Sequence, residues 1–149
     1  MELEKEIKQD KFRSVRHKMM LNIIFTANWF MASHGKSLKK YGITPEQFNI
    51  LRILRGQRPK PATVNLLMER MLNKMSNVSR LVEKLRLKGY VNREICSEDR
   101  RACNVFITTR GLELLEKIDK LEKEWLGETN GLSEKEAIEV NRLLNRLRG

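Results

Sequence analysis

The residues best suited to recognition chemistry lie between Asn73 and Arg101, where basic and amide side chains are dense. From Lys74 to Arg93 the chain carries six Lys or Arg residues against one acidic residue, Glu83. Ammonium and guanidinium groups bind phosphates, and Arg and Asn also pair with the edges of bases in a major groove. The stretch therefore predicts contact with a nucleic acid duplex.

The helix predicted to begin at Asn73 offers two kinds of contact. Asn77 and Arg80 are the candidates for base edges, because Asn pairs well with adenine and Arg with guanine. The remaining polar candidates for this surface, which suit phosphates, are Lys74, Ser76, Ser79 and Lys84. The alternative is that the charges form only a solvated surface, as most charge runs do.

A β-hairpin with a charged tip is predicted after this helix. Its strands, at 90–95 and 103–107, contain β-forming residues in partial alternation. Three charged residues lie at the tip: Asp99, Arg100 and Arg101. Adjacent arginines suit insertion into a narrow minor groove, where the negative potential is deepest. The alternative is a loop that these charges only keep soluble.

Other chemistry has little support. Cys96 and Cys103 flank the hairpin tip, where they could form a redox switch or be two small, half-buried strand residues. His17 and His34 lie far apart with no Cys or acidic cluster beside them, so we expect no metal site and no cofactor. The sequence has no Gly-rich phosphate loop, metal-ligand spacing or nucleophile elbow, and we therefore expect no enzyme.

The composition favours an anionic partner and a reducing compartment. The 149 residues carry a net charge of +11, which suits nucleic acid or an acidic membrane surface. No run approaches the roughly 20 apolar residues of a membrane span, and the charged N-terminus does not resemble a secretory signal. Two cysteines provide no disulfide framework. We expect a cytoplasmic protein that does not enter the membrane.

Helical periodicity predicts a mainly α fold with a small β-hairpin. The predicted elements are, in order, a long helix at 1–36, a helix opened by a Thr44–Gln47 capping box, a short helix capped by Thr63, the helix from Asn73, the hairpin, a helix from Thr108 or Thr109, and a last helix opened by a Ser133–Glu136 capping box. We expect Gly35 and Gly89 to end their helices and the segment 127–131 to break the penultimate one. Two helices joined by a tight turn, the second with an exposed polar end, form a helix-turn-helix.

The first helix also carries a cluster of large side chains. Its members are Phe25, Trp29, Phe30 and Met31. They could line a pocket for a small-molecule effector, or they could be ordinary core or dimer-interface residues. From Met19 onward apolar groups occupy more than one face of the helix, so we expect a partner chain to bury part of it.

Five short segments in fixed order carry a family resemblance. They are GITPEQF at 42–48, SRLVEKL at 79–85, KGYV at 88–91, DRR at 99–101 and TTRG at 108–111. With these segments, almost the whole chain resembles the MarR family of bacterial transcription regulators. The segment 73–77 departs from the family, in which many members have a Gly-containing turn and a Ser-Thr pair, so the preferred DNA sequence stays open.

The resemblance implies a single winged helix-turn-helix domain over 1–149 that forms a homodimer. Residues 1–36 and 109–149 would form the dimerisation helices, and 44–108 the DNA-binding lobe. The recognition helix would read a major groove, while Arg101, oriented by Asp99, would reach a minor groove. A small-molecule pocket would lie between the dimerisation helices and the DNA-binding lobe.

We therefore expect a sequence-specific regulator of transcription that binds double-stranded DNA. It would be a repressor that binds a pseudo-palindromic operator as a homodimer and is released by a small-molecule effector. The alternative is a winged-helix module for protein assembly with weak, nonspecific DNA binding. An RNA-binding protein would show aromatic platforms for splayed bases, and only Tyr90 and Phe106 are aromatic in this region.

Overall fold

The computed structural model describes residues 1–95, 103–129 and 131–149, without the side chains of Ile95, Cys103 and 121–129. The elements of this part of the chain are α1 (Leu3–Ile7), α2 (Val15–Lys39), α3 (Pro45–Gln57), β1 (Ala62–Thr63), α4 (Val64–Arg70), α5 (Val78–Leu87), β2 (Val91–Ile95), β3 (Cys103–Ile107), α6 (Thr109–Thr129) and α7 (Glu134–Arg148). They form two compact units, Met1–Leu112 and Glu113–Gly149. The mainly helical fold with a small sheet is confirmed, whereas the predicted domain bounds and dimerisation layer stay predictions.

The predicted single helix at 1–36 is wrong, because the chain leaves the helical conformation after α1. Lys8 adopts a left-handed conformation with φ 51°, and a left-handed residue ends a helix. α2 begins only after Ser14, whose side-chain oxygen accepts a hydrogen bond from the His17 N–H at 3.1 Å. The charged start of the chain therefore forms a separate short helix.

The prediction that Gly35 ends the first long helix is also wrong. α2 continues to Lys39, and the left-handed turn comes at Gly42, with φ 68°. A glycine inside a helix costs only about 1 kcal/mol relative to alanine. Burial of Leu38 in the last turn offsets this cost, since burying a leucine side chain contributes about 2 kcal/mol.

α3 begins with the predicted capping box. The Gln47 N–H donates to Thr44 Oγ1 at 3.3 Å, and the Thr44 N–H donates to Gln47 Oε1 at 3.1 Å. Pro45 occupies the first turn, where its missing N–H has no cost. The inner face of α3 supplies much of the core of the first unit, with Phe48, Ile50, Leu51, Ile53 and Leu54.

The sheet has three antiparallel strands in the order β1-β3-β2. The predicted hairpin is confirmed, with a register that runs from Val91 opposite Ile107 to Ile95 opposite Cys103. β1 was missed because Ala62–Thr63 is too short to show alternation. Thr63 also caps α4, as predicted, by accepting a hydrogen bond from the Leu66 N–H at 3.2 Å.

The end of α5 is joined to the start of α6. Gly89, with φ 74°, ends α5 as predicted, and the Tyr90 N–H donates to the Leu85 carbonyl at 3.0 Å. Thr108 caps α6 by accepting from the Gly111 N–H at 3.1 Å, and its hydroxyl donates to the Gly89 carbonyl at 2.8 Å. These bonds hold the base of the hairpin between the two helices.

The last two helices agree with the expectation. α6 continues through Gly127, since one glycine lowers helix stability without forbidding it, and ends at Thr129, inside the segment 127–131 that was predicted to break it. α7 begins with the predicted capping box, in which Ser133 Oγ accepts from the Glu136 N–H at 3.4 Å. No residue of α7 is buried.

Gly111→Ala should destabilise the protein because the backbones of two segments meet there. An added Cβ would overlap the Tyr90 carbonyl oxygen and lie 2.8 Å from Ile107 Cγ1. We expect the free energy of unfolding to fall by about 1–3 kcal/mol, as overpacking does. Urea unfolding followed by circular dichroism measures the change.

Gly56→Ala is the matched control. It lies in α3, and no atom lies within 4 Å of the added Cβ. Because alanine favours the helix, this variant should be unchanged or more stable by up to about 1 kcal/mol. Equal losses in both variants would contradict the packing argument.

Candidate nucleic-acid interface

α5 separates an apolar face from a polar one. Val78, Val82 and Leu85 are buried, which matches the predicted stripe except that Leu81 is only half-buried. Helical geometry then directs the residues between them outward. Three predicted DNA-binding residues lie exposed on this helix: Ser79, Arg80 and Lys84.

The predicted start of this helix at Asn73 is wrong, because the helical hydrogen bonding begins at Val78. Asn77 is the N-cap, and its Oδ1 accepts a hydrogen bond from the Arg80 N–H at 3.1 Å. This capping role was not predicted, although an Asn directly before the first stripe residue is a recognised start signal. Capping leaves the amide Nδ2 available as a donor toward a base.

Lys74 and Ser76 therefore lie in the turn that connects α4 to α5 and not in the helix. The Lys74 ammonium donates a hydrogen bond to the Glu69 carbonyl near the end of α4. The Ser76 hydroxyl is buried and finds no hydrogen-bond partner among the described residues. In this conformation Ser76 does not present its hydroxyl to a phosphate, and contact of either residue with DNA stays a prediction.

The positive charge available on α5 is concentrated on two side chains. Arg86 donates two hydrogen bonds to Glu83, at 2.8 and 3.0 Å. These bonds lower the pKa of the Glu83 carboxyl, which therefore stays ionised and compensates the charge of Arg86. Within the described part of the chain, Arg80 and Lys84 make no hydrogen bond or ion pair through their side chains. They are available to an anionic partner.

An open surface depression of about 350 Å³ lies between the starts of α3 and α5. Its lining consists of Thr44, Glu46, Asn73, Ser76, Asn77, Arg80, Leu81 and Lys84. It brings together four of the six residues predicted for the recognition surface, whereas Lys74 and Ser79 lie outside it. No sequence pattern indicated Thr44 or Glu46 as part of this surface, because their nearness to α5 depends on how α3 packs.

The predicted wing tip falls outside the described residues. This applies to Cys96, Asp99, Arg100 and Arg101. The strands that lead to it are described, and Cys103 is opposite Ile95 in their register. The minor-groove role of the tip and the cysteine switch both stay predictions.

The predicted effector cluster on α2 is divided by the structure. Phe25 and Trp29 line a smaller hollow of about 220 Å³, together with Met1, Leu3, Asn22 and Thr26. Phe30 and Met31 do not line it and are exposed. Further along α2, the ring of His34 packs edge-on against Phe48 of α3, with ring centroids 5.3 Å apart. The four residues thus do not form one pocket in this chain.

Two other kinds of site find no support in the described residues. No group of three or more His, Cys, Asp or Glu side chains there could hold a metal ion. None of the described helices combines the length and hydropathy needed to cross a membrane.

Comparison with known proteins relates the central part of the chain to one family. The model of the MarR family matches residues 41–102, which include α3, α4 and α5. The HTH-type transcriptional regulator YkoM of Bacillus subtilis is 30% identical over 80 residues, a match that covers 54% of this chain and 51% of YkoM. The chain thus spans about half the length of this curated relative.

Solved structures share the fold over nearly the whole chain. BpsR of Bordetella bronchiseptica, whose DNA binding is regulated by 6-hydroxynicotinic acid, is 19% identical with a TM-score of 0.77, and the match covers 89% of this chain and 99% of BpsR. A complex of Staphylococcus aureus MepR with DNA is 22% identical with a TM-score of 0.73, covering 87% and 94%.

A more similar sequence is that of a MarR/EmrR family transcriptional regulator from Acinetobacter sp. ADP1. It is 26% identical with a TM-score of 0.72, and the match covers 91% of this chain and 95% of that one. The predicted winged helix-turn-helix is thereby confirmed. Residues 41–102 thus match the MarR family of transcription regulators, and the chain shares the fold of MarR-type regulators over nearly its whole length.

Proposed function

We propose that this protein is a cytoplasmic repressor that binds a pseudo-palindromic DNA operator as a homodimer. The observation that carries the proposal is the polar face of α5, on which the uncompensated Arg80 and Lys84 lie beside Asn77. A protein of the same fold, MepR, forms a complex with DNA. The net charge of +11 supports an anionic partner.

The dimensions of α5 suit a major groove. Its ten residues span roughly 15 Å, and the groove is about 12 Å wide, which admits one helix. Arg80 and Asn77 would face base edges, with Ser79 and Lys84 toward phosphates. Lys74 would also face phosphates, whereas Ser76 would meet the DNA backbone only if the turn rearranges, because its hydroxyl is buried in this conformation.

Exposed apolar side chains support the proposed homodimer. On α2 they include Met20, Ile24, Phe30 and Met31, and on α7 they include Ile138, Leu143 and Leu147. Large apolar side chains exposed together on one helix often mark a surface that a partner covers. We assign dimerisation to the segments 1–36 and 109–149 and DNA binding to 44–108. Two recognition helices would then meet successive major grooves about 34 Å apart.

Release by a small-molecule effector is the regulatory part of the proposal. It is supported by BpsR, whose DNA binding responds to 6-hydroxynicotinic acid, and by the hollow beside Phe25 and Trp29. Phe30 and Met31 lie on the same helix, where a second chain could complete a larger pocket. An effector would act only if it binds one spacing of the recognition helices better than another.

A footprint on the DNA upstream of the protein's own coding region tests the proposal. We expect a protected pseudo-palindrome and an affinity that falls steeply with salt, because each phosphate contact releases counterions. Salt-sensitive binding without any preferred site, on this DNA or on a random pool, would favour the protein-assembly alternative. Absence of binding at low salt would refute the assignment of α5.

Arg80→Ala should reduce specific binding more than nonspecific binding. If Arg80 pairs with a base, the loss on the operator is about 1–3 kcal/mol, with a much smaller loss on random DNA. Fluorescence anisotropy with both duplexes measures the two losses. Lys39→Ala removes an equal charge from the exposed end of α2, outside the segments assigned to dimerisation and DNA binding, and should affect both duplexes slightly and equally. Equal losses with Arg80→Ala would make Arg80 a phosphate contact.

Arg101→Ala should weaken DNA binding and leave the dimer intact. The expected cause is the loss of a minor-groove contact, where a guanidinium meets a concentrated negative potential. Anisotropy measures the affinity, and analytical ultracentrifugation measures the oligomeric state. Dissociation of the dimer in this variant would contradict the proposed position of Arg101 at the wing tip.

A further inference from the structure

The turn between α4 and α5 exposes an apolar side chain at the edge of the proposed DNA-binding surface. Met75 is 92% exposed and lies two residues before Asn77, the N-cap of α5. Isolated exposed apolar residues are ordinary on protein surfaces, so exposure alone indicates no function. The position and the backbone of Met75 distinguish it.

Hydrogen bonds hold the backbone of the turn around Met75. The Met75 N–H donates to Asn73 Oδ1 at 3.1 Å, and the Ser76 N–H donates to the Asn73 carbonyl at 3.2 Å. The Ser76 hydroxyl is buried, whereas the Met75 side chain beside it is exposed. The turn therefore presents the Met75 thioether outward from a constrained backbone.

Met75 lies just before the N-terminus of α5. In helix-turn-helix proteins the N-terminal residues of the corresponding helix enter a groove and contact the base edges. The adjacent candidates for base contacts, Asn77 and Arg80, are polar and can recognise hydrogen-bond donors and acceptors. The C5-methyl group of thymine has neither, and an apolar side chain recognises it instead. Methionine suits this contact because it is unbranched and polarisable.

We propose that Met75 contacts the C5-methyl group of one thymine in each half of the bound DNA site and thereby determines part of its sequence specificity. The inference rests on the proposed function, since it requires α5 to enter a major groove. An exposed methionine could instead contact a deoxyribose, which would carry no sequence information. The two contacts differ in whether they depend on the methyl group.

Replacing thymidine with deoxyuridine distinguishes a methyl contact from a deoxyribose contact, because it removes the C5-methyl group and retains the base pair. A duplex is first selected from a random pool by the unaltered protein. The two thymines at equivalent positions of the two half-sites are then replaced by uracil, one position at a time. For the unaltered protein, replacement at one position should weaken binding about fourfold per half-site, the effect expected for losing one buried methyl group. Met75→Ala should bind the thymine and uracil duplexes equally.

Two variants serve as controls. Met75→Leu keeps an apolar side chain and should keep the preference for thymine. Leu87→Ala removes a 71% exposed side chain at the opposite end of α5, about 13 Å along the axis from Val78, and should keep the preference too. Since both altered positions are exposed, circular dichroism should show unchanged folding.

The outcomes distinguish failure of the inference from failure of the proposed function. Equal binding of every uracil duplex and the thymine duplex by the unaltered protein would refute the methyl contact alone. A loss in Met75→Ala that is the same for thymine and uracil would also refute it and would indicate a sugar contact. Failure to select any duplex at low salt would refute DNA binding itself, and the inference with it.

Discussion

Burial of one face of α5 is the constraint on which the candidate DNA surface depends. Once Val78, Val82 and Leu85 are in the core, the 3.6-residue period directs Arg80 and Lys84 outward. A shift of one residue along the helix would bury a charge, and burying an unpaired charge is far costlier than losing any single apolar contact. The same burial therefore provides stability and orients the polar face.

The two ends of α5 are held by different means. At the start, Asn77 caps the helix through the Arg80 N–H, so a residue proposed to face DNA also determines where the helix begins. At the end, Gly89 adopts the left-handed conformation, and its carbonyl accepts a hydrogen bond from Thr108 at the start of α6. The hairpin base is held in the same junction, so the recognition helix and the strands of the wing share one support.

Fewer positive charges around α5 are uncompensated than the count of basic residues suggests. Six basic residues lie between Lys74 and Arg93, but Arg86 is compensated by Glu83, and the Lys74 and Lys88 ammonium groups donate to backbone carbonyls of Glu69 and Gly42. A paired guanidinium such as that of Arg86 contributes less to the attraction of an anion than the count implies, whereas a lysine that donates to a neutral carbonyl keeps its charge and is only held in place. The proposed affinity for DNA thus depends mainly on the side chains that the fold leaves uncompensated.

The sequence by itself determined the helical class, both capping boxes and most of the α5 stripe, because each depends on residues three to seven positions apart, and it determined the hairpin from two β-forming runs on either side of a polar turn. It missed the helix break at Lys8 and placed two boundaries wrongly, at Gly35 and Asn73, where local propensity competes with burial or capping. Only the tertiary structure decided that Thr44 and Glu46 border α5 and that Ser76 faces inward. It also decided that Phe25 and Trp29 share a hollow apart from Phe30 and Met31. These contacts either join segments that are distant in the chain or depend on the path of a turn. Local sequence motifs and hydrophobic periodicity carry no information about such contacts.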